Sequence, residues 1–176
     1  GQKIASFQEK YILVKGEEEN SFELGSIPVG QHVHKLKFDV GIDQPTNNQT
    51  ETDFNSYPAD DPRAVQSPSM HWNWNTGYIF VKVEGTVNGN NLKLHLGTDD
   101  LLRAVEVMIH ENSMAGEMTH IHLDADIAKL LDGVETSSDV STMTMNNMPL
   151  AVETMDNISK VFKKSDDHSG HDHGKK

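Results

Sequence analysis

The chain of 176 residues carries 15 basic and 27 acidic side chains, for a formal net charge of −12, with 35% hydrophobic residues and no cysteine. Such a length makes one domain with a real core, while the low apolar content leaves much of the chain to loops and tails. The acidic balance argues against nucleic acid, whose phosphates need a cationic face, and the missing cysteines exclude disulfides, thiolate metal sites and cysteine nucleophiles. No run approaches the length of a membrane span. The chain starts without a signal sequence, so export would imply the processed form.

In chain order, Lys10–Lys15 and Ser21–Leu24 read as short strands around an acidic turn, and Pro28 and Gly30 mark another turn. A strand from His32 to Val40 sets His32, His34, Leu36, Phe38 and Val40 on one face. The apolar company of His34 predicts that it is at least partly buried. Residues 42–69 are rich in Asn, Asp, Ser and Pro, a long polar loop of the kind that is usually functional or mobile. It leads into Met70-His71-Trp72-Asn73-Trp74-Asn75-Thr76-Gly77-Tyr78, which holds both tryptophans. Alternation there puts Met70, Trp72 and Trp74 on one side and His71 and Asn73 on the other. Two indoles and a methionine on one face could equally be core filling.

Gly77–Val87 reads as a strand, and Asn88-Gly89 is a strong hairpin signal. The returning strand, Asn91–Gly97, sets Leu92, Leu94 and Leu96 against Lys93 and His95. Arg103–His110 sets Val105, Val107 and Ile109 against Met108 and His110, and Thr119–Leu123 sets Ile121 and Leu123 against His120 and His122. Placed in one sheet, these histidines make either a metal-competent face or a solvent face rich in imidazole. Asp124–Gly133 has the acidic start, apolar spacing and terminal Gly of a short helix, and Leu150–Phe162 reads as a last one. Residues 135–149 are polar but hold Met143, Met145 and Met148, and the segment 163–176, with His168, His171 and His173, is too polar to fold. The expected architecture is an all-β sandwich over 1–162, with long irregular loops and one or two short helices, followed by that disordered His-rich tail.

The order of motifs from Tyr11 to Phe162 resembles the MbnP-like domain family, the MbnP, CorA and MopE type of copper-binding proteins. The matching pieces are Ile27-Pro28-Val29-Gly30, Phe38-Asp39-Val40-Gly41-Ile42-Asp43, the Met70–Tyr78 stretch, Val83-Glu84-Gly85, Leu94-His95-Leu96-Gly97, the run around Asp124–Gly133, and Asp156–Phe162. The resemblance implies a β-sandwich exported to the periplasm, the outer-membrane surface or the medium. It implies copper, as Cu(I) or Cu(II), held by histidines and in some members by a tryptophan oxidised to kynurenine, here Trp72. A di-haem peroxidase-type enzyme or an outer-membrane transport complex would be the partner. Family members place a histidine two residues after the modified tryptophan, where this chain has Trp74. His95 is therefore the histidine that carries over, with His71 as a substitute for the missing one. Members also begin with further strands upstream of the match to Tyr11, so this chain is expected to be a fragment or to fill that gap with another element.

Without cysteine, a soft cation has only imidazole and thioether donors, and the chain holds 10 histidines and 8 methionines. His120-Ile121-His122 and His32-Val33-His34 each place two imidazoles on one side of a strand, able to share an ion once a neighbouring strand supplies a third group. Zinc would accept the same imidazoles. Met143, Met145 and Met148 lean toward copper, although methionine also fills irregular gaps. The tail His168, His171 and His173 would be a loose trap. Neither a nucleophile elbow, a phosphate loop nor a His-Glu-x-x-His helix is present, which argues against catalysis. The ligand expectation is His95 first, then His71 with Trp72, then His120 and His122, with Met70 as a further donor. The competing expectation is an envelope-associated binding module of the same fold with no metal at the tryptophan motif.

Overall fold

Nine strands and four short helices occur among the residues described by the computed structural model, namely 2–7, 10–16, 20–73 and 75–165. Strand β1 (His32–Val40) precedes helices α1 (Gln44–Asn47) and α2 (Glu51–Asn55) and the short strands β2 (His71–Asn73) and β3 (Gly77–Tyr78). Next come β4 (Val81–Val87), β5 (Asn90–Leu96), β6 (Arg103–Asn112) and β7 (Leu123–Ala125). Strand β8 (Val140–Thr142), helices α3 (Met148–Asp156) and α4 (Ile158–Val161), and β9 (Phe162–Lys164) follow.

The strands make small sheets. β1 pairs with β6, β2 with β3, and β7 with β9, all antiparallel, while β4, β5 and β8 form a three-stranded sheet in which β8 runs parallel to β5. Asn88 and Gly89 hold φ of 51° and 82°, the pair of positive values that a two-residue hairpin turn needs to match strand twist. The inward residues Leu94 and Leu96 of β5, Val105, Val107 and Ile109 of β6, and Val140 of β8 join Ala151, Met155, Ile158 and Val161 of the last helices in one buried cluster. Both larger sheets therefore share a single core. No helix of the described residues is long and apolar enough to cross a membrane.

Several expectations change. Lys10–Lys15 and Ser21–Leu24 are not strands, and Ile12, Val14 and Phe22 are exposed. β-prone residues alone do not make a strand without a ladder partner, and no described strand pairs there. Tyr11 instead anchors the segment through its hydroxyl, bonded to Asp43 and to Thr46 at 3.0 Å, with the Arg63 guanidinium 4.6 Å from its ring centroid. The polar loop holds α1 and α2, which raise the helix content above the one or two expected. Their starts are locally capped: Asp43 accepts from the Thr46 N–H, and Thr50 and Asp53 form a reciprocal capping box.

The run Gly77–Val87 breaks at Ile79-Phe80, where the Ile79 N–H bonds to the Met70 carbonyl at 2.9 Å and the Phe80 N–H to that of Leu96 at 2.6 Å. The chain passes there from the tryptophan hairpin to the β4–β5 sheet. The expected helix at Asp124–Gly133 shrinks to a 3₁₀ turn at Ile127–Leu131, because Leu123–Ala125 is taken by pairing with β9. The last helix breaks at Asn157, whose side chain donates to the carbonyls of Leu130 and Asp132 at 3.1 and 2.9 Å. Lys163 and Lys164 do not belong to a tail, since they finish β9 opposite Asp124 and Leu123. Trp74 and the tail histidines His168, His171 and His173 lie outside the described residues.

Leu94 is fully buried while its neighbour Lys93 is exposed. Leu94→Ala should lower the unfolding free energy by about 2–5 kcal/mol in urea denaturation, from lost burial plus the cavity left behind. Lys93→Ala, on the open face of the same strand, should stay within about 0.5 kcal/mol of the parent.

Candidate metal centre

Alternation along β5 points His95 away from Leu94 and Leu96, toward what would ordinarily be a solvent face. His95 is nevertheless only 6% exposed. The tryptophan hairpin covers it, with the ring centroids of Trp72 and His95 5.7 Å apart at an interplanar angle of 53°. The local backbone makes that approach tight. Gly97 follows β5 with its Cα so close to the Tyr78 carbonyl that a Cβ there would collide with the oxygen. Thr144 straps the same strand end, donating to the His95 carbonyl at 2.8 Å and accepting from the Gly97 N–H at 3.0 Å.

The His95 imidazole has one satisfied nitrogen and one orphan. Its Nε2 lies 2.6 Å from Oε1 of Glu84, a side chain 52% exposed, while Nδ1 is buried without a hydrogen-bond partner. The bond to His95 holds the Glu84 carboxyl below its ordinary range. An ionised carboxylate only accepts, so Nε2 carries a proton, and in the neutral ring Nδ1 then keeps its lone pair. A carboxylate on one ring nitrogen with the other left free is how metal-ligating histidines are oriented and made more basic. Glu84, although part of the Val83-Glu84-Gly85 motif, was not among the site residues expected from the sequence. The hairpin register could have found it: Asn88-Gly89 pairs Lys82 with His95 and Glu84 with Lys93, which makes Glu84 the diagonal neighbour of His95.

His71 and Trp72 are adjacent in β2 and go to different partners. The His71 ring stacks on Phe54 at 3.9 Å and 15°, and meets Tyr78 edge-on at 4.8 Å. Burial pushes its pKa down. The Tyr78 backbone N–H is fixed by the buried Asn47 side chain, which accepts from it at 2.8 Å and donates to Asp99 at 2.7 Å. The long loop is therefore the packing bed of the tryptophan hairpin on its His71 side. Met70 is half-buried, and its carbonyl accepts from Ile79.

The remaining candidates lie elsewhere. His120 and His122 are exposed, with rings stacked at 6.2 Å, in an extended segment just before β7. Met143 and Met145 are exposed, whereas Met148 packs against the core at the start of α3. His34, expected to be partly buried, is exposed: a register shift between Val33 and Lys35 turns it outward with Lys35 and brings Val33 inward. His32, His34 and His110 consequently share one surface, and His110 is the third group, from the neighbouring strand, that the His-x-His pair required.

The model of a protein family described as MbnP matches residues 1–149. This chain belongs to the MbnP family. No curated protein and no solved structure matches it. The MbnP match spans Trp72, Glu84 and His95 and ends just inside α3, and it associates the chain with a copper-related family.

The depressed His71 pKa has a direct consequence. A folded-state value below the ordinary 6.5 means that folding favours the neutral ring. Its contribution to stability is complete above pH 6.5 and is lost as pH falls through the lower folded value. Followed by the imidazole proton shifts in NMR, His71 should titrate with a midpoint below 6.5; a midpoint at or above that value would mean that the stack on Phe54 does not shield it.

Proposed function

We propose that this MbnP-family chain is an exported copper-binding protein that acquires, stores or delivers Cu(I) rather than a catalyst, with the β1–β6 and β4–β5–β8 sheets as layers of a β-sandwich. The observation that carries the reading is the buried, unpartnered Nδ1 of His95 beside the Trp72 indole, with Glu84 on the opposite ring nitrogen. A buried lone pair with no donor to satisfy it is costly in an apolar setting and is relieved by a soft cation. Copper is the cargo here. His95 supplies the imidazole, Glu84 orients it, and Trp72 or its kynurenine derivative lines the same site.

His71 contributes packing to this site, because its ring is committed to Phe54 and Tyr78. Family membership supports copper as the cargo. The export reading, and a di-haem oxidising enzyme or an outer-membrane transport complex as partner, rest on the family resemblance of the Trp72 and His95 motifs. The chain's formal net charge of −12 favours cation capture in any compartment.

Competition titration with a chromogenic Cu(I) chelator tests the site. His95→Ala should lose the tightest Cu(I) equivalent, and Glu84→Gln should retain it with affinity weakened about 10–100-fold, the usual effect of removing a ligand's orienting partner. Equal uptake at equal affinity by parent and His95→Ala would leave the alternative, a binding module with no metal at the tryptophan motif. Peptide mass spectrometry of protein purified from its native source reports on Trp72. Kynurenine gains one oxygen and loses one carbon relative to tryptophan, and an unaltered peptide would leave the plain indole as the site's wall.

A further inference from the structure

The bulge between β1 and β6 builds a second cluster of imidazoles that the His95 site does not use. Val33 faces Glu111 and Lys35 faces Met108, so the single residue His34 stands opposite both Ile109 and His110. His110 takes φ of 53°, in the left-handed region that a non-glycine side chain rarely enters. Strain of that kind persists where the surroundings impose it, and it concentrates at functional positions. Its result is a triangle of rings. The centroid separations are 4.3 Å for His32 and His34, 5.7 Å for His32 and His110, and 5.5 Å for His34 and His110.

One nitrogen from each ring lies within 4.8 Å of those from the other two, and all three residues are exposed. Metal–imidazole bonds of about 2.0–2.1 Å put tetrahedral ligand nitrogens roughly 3.4 Å apart. Closing from 4.8 Å to that spacing needs only side-chain rotation by exposed rings on a paired backbone. One ring is already oriented. Nδ1 of His32 lies 2.8 Å from Oδ1 of Asn112, its cross-strand partner. An amide oxygen can only accept, so Nδ1 carries a proton and, in the neutral ring, Nε2 keeps its lone pair. The neighbouring cations are occupied, since Lys35 and Lys37 both pair with Glu106.

We propose that His32, His34 and His110 form an exposed three-imidazole site for a divalent first-row transition cation, Zn(II) or Cu(II), separate from the buried His95. Three neutral nitrogens suit a cation of borderline softness, which imidazole alone satisfies, whereas Cu(I) also draws on thioether and thiolate donors. Three protein ligands leave a fourth position open to solvent. The ion is therefore exchangeable, and the site loads from and releases to the medium. This assignment does not rest on the copper reading of the Trp72–His95 pocket.

The test is a Zn(II) titration of the full-length chain carrying His168→Gln, His171→Gln and His173→Gln, so that the tail contributes no imidazole. Affinity is read by competition with a zinc-sensitive dye, and the bound rings are identified by long-range ¹H–¹⁵N NMR of the histidine side chains. One equivalent of Zn(II) should shift the imidazole signals of His32, His34 and His110 together. His110→Asn keeps a residue suited to positive φ and should weaken Zn(II) binding by at least about tenfold with the urea midpoint preserved. Asn112→Ala retains all three ligands and should weaken it about 10–100-fold. Glu84→Gln should leave it unchanged, which separates this site from the one at His95. Zinc-induced shifts confined to other histidines, such as His120 and His122, would overturn the proposal. So would His110→Asn binding Zn(II) as tightly as the parent.

Discussion

Burial of both faces at the end of β5 is the constraint on which the rest of the structure depends. Leu94 and Leu96 enter the common core on one side, and His95 is covered on the other by the tryptophan hairpin. Two sets of contacts hold that cover down. Gly97 lets the backbone meet Tyr78 without a side chain between them, and the Phe80 N–H bonds to the Leu96 carbonyl as the chain leaves the hairpin. The open face of an ordinary half-buried sheet would have left His95 in water. Here an imidazole is forced inside, and its two nitrogens are treated differently.

That difference separates the two groups of histidines in the chain. His95 has a carboxylate on one nitrogen and nothing on the other, in a site closed by an indole. His32, His34 and His110 sit in the open on a distorted pair of strands, with an amide orienting one of them. The proposed cation there would keep a solvent position. His71, between Phe54 and Tyr78, belongs to neither group, and its ring serves as an aromatic packing element.

The strands with neighbours on both sequence and spatial grounds were legible beforehand. β1 and β6 have the expected limits to within two residues, and the Asn88-Gly89 turn sets the register that joins β4 to β5. Period-2 alternation is a local property, so it survives without knowledge of the fold. What failed had a non-local cause. Lys10–Lys15 has the β-prone residues of a strand yet finds no described ladder, and Asp124 and Ala125 leave the expected helix because β9 pairs with them. β8 is a three-residue strand of Val, Ser and Thr whose assignment comes wholly from lying parallel to β5. The capping box at Thr50 and Asp53 was a local signal that went unread, hidden in a segment whose composition said loop.

By itself, the order of residues determined that this is a β-rich chain of the MbnP family with donors for a soft cation and no thiolate, and it marked His95 and Trp72. These follow from composition, alternation and motif order, which no long-range contact can change. Only the tertiary structure decided which histidines face one another. A one-residue slip between β1 and β6 turned His34 outward to meet His110, and the seating of the tryptophan hairpin buried His95. Side chains in a strand alternate with a period of two, so one inserted residue or one covering loop reassigns a face, and neither is written in the strand that it changes.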